Sequence, residues 1–301
     1  MWPLFFHRPR KLPLSTERLE LPDGDFLDIA WTGENSGPVV LLLHGLEGSI
    51  RSHYATGLLS ALNRSGFLPL FMHFRGCSGE PNRLPRSYHS GETKDLQQVI
   101  RHVERKFDRP VSAAIGISLG GNVLLKWLGE QGDASTLRAA VAVSVPFDLN
   151  DCAMRLDQGT SKIYRNHLLK RLRASYKRKR GLVRMPFEVD VDRIRSFREF
   201  DDKVTAPLHG FRGVDHYYRN SSCRQYLKTI KTPTLVLHAR DDPFMWPDTI
   251  PDEDDLSPAV TLEVSDAGGH VGFVHGPHPL SPGYWLEERI VDHLKAFFGI
   301  E

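Results

Sequence analysis

Six apolar runs, each about one strand long, are spaced along the chain at 39–43, 67–72, 111–115, 139–143, 234–237 and, more weakly, 260–264. Most of them are apolar at every position rather than at alternate ones. A strand reads that way when helices cover both faces of its sheet. Helical patterns fall near 52–64, 91–106, 119–130 and 284–298. Strands alternating with helices imply βαβ units and a mostly parallel central sheet, so the chain is expected to be a doubly wound α/β protein with helices on both faces. Residues 17–32 alternate apolar and polar around Pro22-Asp23-Gly24, the pattern of an edge hairpin.

The alternation breaks between 147 and 230, where polar, helix-like segments separate two strand signals by far more than an ordinary connection. This stretch is expected to be a helical cap inserted into a core made of 1–146 and 231–301. Within it, residues 151–180 hold ten Lys or Arg against Asp151 and Asp157, a balance of +8. Ile163, His167, Leu168, Leu172 and Tyr176 could share one face of a helix there. A solvated cap helix is the expectation, and weak peripheral contact with anionic lipid is the alternative. The acidic run 252–255 reads as an exposed loop. A net charge of only +2 on 301 residues argues against a nucleic-acid partner. The N-terminal apolar stretch Leu4-Phe5-Phe6 is far too short for a signal-peptide core or a membrane span, and 1–11 reads as a structural tail. Three widely spaced cysteines, Cys77, Cys152 and Cys223, suggest neither a disulfide framework nor a zinc site. The expected location is therefore cytoplasmic. Oligomeric state is not readable.

Gly116-Ile117-Ser118-Leu119-Gly120 ends one buried strand and opens a helix, the setting in which small flanking residues let the chain turn sharply and expose a serine. The same serine could also cap the helix that follows. A serine hydroxyl needs a histidine base, and the base needs a carboxylate to orient it. Of fourteen histidines, only His270 sits in a glycine-flanked loop after the final strand, where ligand-contacting residues of open α/β sheets collect. His44, His73, His89, His238 and His275 are expected to hold loops or fill space. Asp241-Asp242 follows the strand at 234–240. Asp242 is favoured as the orienting carboxylate, with Asp241 facing solvent or capping the turn, and Asp148 is a third candidate. Two backbone N–H groups, of Leu46 and Leu119, are expected to face the developing oxyanion. There is no HExxH, CxxC or GxxxxGK pattern, so neither a metal nor a nucleotide cofactor is expected.

Long strings then point to one family. His44-Gly45-Leu46-Glu47-Gly48-Ser49, 74–83, Tyr88-His89-Ser90-Gly91-Glu92, 118–126, Thr205-Ala206-Pro207-Leu208-His209-Gly210-Phe211, Asp241-Asp242-Pro243-Phe244 and 269–273 together resemble the YheT-like branch of the α/β-hydrolases, over nearly the whole chain. The resemblance implies the α/β-hydrolase fold, a cap over the sheet, and a triad of Ser118, Asp242 and His270. Eukaryotic relatives include membrane-anchored lipid esterases, whose long apolar anchor has no counterpart in this sequence. The expected activity is a serine hydrolase cleaving small-molecule acyl esters. A phospholipase or acyltransferase at a membrane surface, and a non-catalytic binding module, are the rival readings. The segment Arg75 to Arg83 carries no role that the sequence discloses.

Overall fold

The computed structural model describes residues 12–275 and 283–301; the N-terminal segment 1–11 lies outside them. Eight strands form one sheet: β1 (Ser15–Glu20), β2 (Phe26–Trp31), β3 (Val39–Leu43), β4 (Leu68–Met72), β5 (Val111–Ile117), β6 (Ala139–Val143), β7 (Thr234–Ala239) and β8 (Val260–Ser265), in the order β1-β2-β4-β3-β5-β6-β7-β8. The first two are antiparallel to their neighbours, and β4 through β8 run parallel. The hairpin, the five fully buried strands and the less buried β8 thus lie where the apolar pattern predicts them.

Alternate residues of the buried strands point to opposite faces. Val39, Leu41 and Leu43 enter one core, covered by α2 (Thr93–Phe107) and α3 (Leu119–Gln131). Val40 and Leu42 enter the other, covered by α1 (Ala55–Arg64) and by the C-terminal helix Trp285–Phe298. Both sets are fully buried, which explains why the runs show no polar alternation.

The chain leaves β3 for β4 on one side and returns to β5 on the other. At such a reversal the two loops diverge and leave a crevice beyond the carboxyl ends of the strands. Register keeps those ends level: Leu43 pairs with Gly116, Ile117 with Val143, and Val143 with Leu237.

Between β6 and β7 the chain forms α4 (Leu149–Leu156), α5 (Ser161–Arg180), α6 (Phe197–Phe200), a π turn (Asp201–Thr205), α7 (Ala206–Leu208) and α8 (Val214–Ser221). This segment has its own apolar clusters, one around Leu149, Leu156, Phe197 and Tyr217 and one around Leu169, Tyr176 and Phe200. Its last turns rejoin the main core through Cys223, Leu227 and Ile230. Helix α5 turns Leu168, Leu169, Leu172 and Tyr176 inward but leaves Ile163 and His167 exposed, so its inner face is narrower than the sequence pattern suggested. Among the described residues no helix is long and apolar enough to cross a membrane.

The 74–83 stretch, silent in the sequence, fastens the loop after β4 to the hairpin. The buried Arg75 guanidinium holds Asp95 through two bonds of 2.7 Å and lies 3.0 Å from both Asp25 and Asp23. The Asn82 amide and the Arg83 N–H both donate to Asp25, at 2.9 Å.

Candidate active site

Ser118 follows β5 directly and adopts φ 52°, ψ −117°, a left-handed backbone rare for a residue with a side chain. Its N–H still donates to the Val143 carbonyl, 2.8 Å away, so the strand ladder reaches into the turn. A Cβ on Gly116 would lie 2.5 Å from the Gly120 carbonyl oxygen, and one on Gly120 would lie 2.6 Å from that of His44. Backbone presses on backbone at both positions, so only glycine permits this turn. Ser118 occupies the N-cap position of α3, yet its side chain makes no capping bond. The hydroxyl is directed instead to His270.

His270 Nε2 lies 2.9 Å from Ser118 Oγ, and Nδ1 lies 2.8 Å from Asp242 Oδ2. An ionised carboxylate only accepts, so Nδ1 carries the proton and Nε2 presents its lone pair to the serine hydroxyl. The Asp242 side chain is 1% exposed, and its other oxygen accepts the Phe244 N–H at 2.8 Å. The His270 ring stacks on that of Phe244, with centroids 3.8 Å apart and planes 3° from parallel.

Asp241 points the other way. Its Oδ1 accepts the N–H groups of Gly268 (2.8 Å) and Gly269 (2.7 Å), pinning the loop that carries His270. The Val271 N–H adds a bond to Ser144 Oγ at 3.2 Å. Asp148 lies away from His270 as the N-cap of α4, accepting the Asp151 N–H.

The loop after β3 closes over the serine. Gly45 packs close enough that a Cβ there would sit 3.3 Å from that of Ser118. In this loop the N–H groups of Gly45, Glu47 and Gly48 are taken by Tyr54 Oη, Tyr88 Oη and the Gly45 carbonyl. Leu46 and Leu119, expected to supply oxyanion donors, both line the cavity with Ser118 and His270.

That cavity encloses about 1300 Å³ including its mouth, and the segment between β6 and β7 roofs it. Leu149, Leu156, Leu172, Phe197, Val204 and Phe244 give it an apolar wall. Two carboxyl residues, Glu47 and Asp201, also line the cavity. Asp201, on the π turn, accepts Thr205 Oγ1 at 2.7 Å and Tyr218 Oη at 2.8 Å, and burial raises its pKa to about 6.

Four of the other described histidines make contacts that hold loops or fill space. His44 is buried, donates from Nδ1 to the Gly45 carbonyl (2.7 Å), accepts the Phe74 N–H at Nε2 (3.1 Å), and is held neutral by burial, which lowers its pKa to about 3. His238 is buried against Phe147, and burial again lowers its pKa, to about 4. His73 accepts the Ile50 N–H, and His275 pairs with Glu288. His89, Glu92 and His209 converge within 4.8 Å, a spacing that could hold a metal ion, and His209 Nε2 is buried without a partner. The other groups are committed elsewhere. His89 Nδ1 accepts the Gly91 N–H, which leaves the ring proton on Nε2, and Glu92 pairs with Arg86. A cation there would have to displace that guanidinium.

Residues 38–277 match the family described as alpha/beta hydrolase fold. The chain is 44% identical to YheT of Escherichia coli (strain K12), over 99% of this chain and 89% of that protein. It is 32% identical to phospholipase ABHD3 of Mus musculus, over 87% of this chain and 67% of that one. Among solved structures, the esterase Pf2001 of Pyrococcus furiosus superposes with a TM-score of 0.60 at 18% identity, covering 95% of this chain and 93% of its own.

Proposed function

The chain belongs to the α/β-hydrolase family, in its YheT-like branch of esterase- and lipase-type hydrolases, and from that premise we propose that it cleaves small-molecule carboxylic esters through Ser118, His270 and Asp242. The observation that carries this reading is the unbroken hydrogen-bond chain Ser118 Oγ–His270 Nε2 and His270 Nδ1–Asp242, assembled from three separate loops beyond the carboxyl ends of the strands. Ser118 Oγ attacks the carbonyl carbon as its proton passes to His270 Nε2, and the Asp242 carboxylate stabilises the resulting imidazolium. The oxyanion of the tetrahedral intermediate meets the N–H groups of Leu46 and Leu119. On collapse, His270 returns the proton to the departing alkoxide, leaving an acyl ester on Ser118. Water, deprotonated by His270, then releases the carboxylic acid and restores the serine. This chemistry requires no cofactor.

Residues 147–230 serve as the cap in this reading, and the apolar wall around Leu172 and Phe197 receives the acyl chain. Three free cysteines suit a reducing compartment, consistent with a cytoplasmic location. A fluorophosphonate probe is expected to label Ser118, and turnover of p-nitrophenyl esters of graded acyl length reads the depth of the wall. Labelling or turnover that survives Ser118→Ala would sink the assignment.

A second reading, action on lipid esters at a membrane surface, is favoured by one observation. Met154, Ile163 and Leu182 are large apolar side chains exposed on the cap, beside exposed Lys162, Lys170 and Arg180. It predicts sedimentation with phosphatidylglycerol vesicles at low salt and release at high salt, because electrostatic attachment is screened. No sedimentation at low salt removes it.

A further inference from the structure

We infer that Glu47 is a positioning residue that ties the oxyanion loop to cap helix α5, so that cap docking and oxyanion geometry form one unit; this rests on the ester-hydrolase reading above. A trans peptide holds its C=O and N–H on opposite sides. The Gly45 carbonyl belongs to the same peptide unit as the Leu46 N–H, and it accepts both His44 Nδ1–H (2.7 Å) and the Gly48 N–H (2.9 Å). With the carbonyl so held, the Leu46 N–H has one direction left.

The Gly48-to-Gly45 bond closes a β-turn with Leu46 and Glu47 at its centre. Glu47 has φ 53°, at a turn position that ordinarily calls for glycine or asparagine. A residue in that conformation persists where its surroundings over-determine it. Here they do, from two directions. Tyr88 Oη accepts the Glu47 N–H at 2.7 Å and donates back to the carboxylate at 3.0 Å. From α5, Ser175 Oγ donates to the other carboxylate oxygen at 2.6 Å, and the Arg171 guanidinium donates to the Glu47 carbonyl. Glu47 is 8% exposed, and its two side-chain oxygens take one donor from Tyr88 and one from α5. A glycine at this position would relax the backbone and keep the Arg171 bond to its carbonyl, but would lose the side-chain links to Tyr88 and Ser175.

The test compares Glu47→Gln and Ser175→Ala with the unmutated protein, using p-nitrophenyl butyrate and a trifluoromethyl ketone whose hemiketal oxygen occupies the oxyanion position. Removing a whole oxyanion donor lowers kcat by about 10²–10³, so loosening one is expected to cost Glu47→Gln roughly tenfold in kcat. The inhibition constant of the ketone should rise by the same factor while KM stays level. Ser175→Ala removes a single bond at the helix surface and should give a smaller loss of the same kind; it carries the test if Glu47→Gln fails to fold. Folded variants that keep kcat and ketone affinity overturn the inference. So does a rise in KM alone, which would make Glu47 only part of the cavity wall. A failure of the underlying reading is distinguishable, because it would show in the unmutated protein as absent fluorophosphonate labelling.

Discussion

The adjacent aspartates allow the proposed mechanism to be tested against a near-identical control. Asp242 accepts the Phe244 N–H on one oxygen and the His270 Nδ1–H on the other, both at 2.8 Å. In Asp242→Asn the single amide oxygen stays with the Phe244 N–H, and the NH₂ group turns toward His270. An NH₂ group only donates. The imidazole must then accept at Nδ1 and carry its proton on Nε2, facing Ser118 Oγ, where it can no longer act as a base. A wrong tautomer of this kind costs about 10⁴ in kcat, about 5 kcal/mol of barrier, with KM little changed. Asp241 differs: one oxygen, Oδ1, already accepts both the Gly268 and Gly269 N–H groups, and an amide oxygen with two lone pairs can do the same. Asp241→Asn should therefore stay within about tenfold of the unmutated rate, well short of the wrong-tautomer loss. Stopped-flow release of p-nitrophenol measures both variants, and melting temperatures confirm that they fold. Asp242→Asn within tenfold of the unmutated enzyme, or Asp241→Asn as the more damaging change, would refute the reasoning.

Two further predictions concern stability. Arg75→Met leaves Asp25 and Asp95, both almost wholly buried, without their guanidinium, and should cost about 3–5 kcal/mol in urea unfolding; a loss below about 1 kcal/mol would mean that the cluster contributes no net pairing. Asp201 has a folded-state pKa of about 6 against an ordinary 3.8, so the native state binds its proton more tightly than the unfolded chain does. The penalty is therefore present above pH 6, shrinks as the pH falls through 6, and is gone below 3.8. Asp201→Asn should accordingly raise the melting temperature at about pH 8 and lose that advantage near pH 4. An equal difference at both pH values would remove the carboxyl as its cause.

What could be read from the sequence was what depends on neighbours along the chain. The strands at 39–43 and 139–143 announce themselves because burial on both faces removes every polar position, and Ser118 stands out because it lies just past such a run, whereas His270 follows the less buried β8 and stands out by its flanking glycines. The choice between Asp241 and Asp242 was only partly legible: two successive residues leave a strand on opposite sides, and nothing local says which side holds the histidine. The direction of α5 was less legible still. Several faces of a basic helix satisfy a 3.6-residue period, and contacts with the β3 loop and the 84–86 segment select the one bearing Ser175 and Lys179. Arg75 and Glu47 were opaque for the same reason, since their partners lie 20 to 128 positions away and a buried charge looks like any other charge in a string of letters. The groups proposed to react are thus locally encoded, while the groups proposed to hold them in place are encoded by tertiary contact. A substitution at Ser175, which lies outside every motif, is for that reason expected to alter catalysis while leaving those motifs intact.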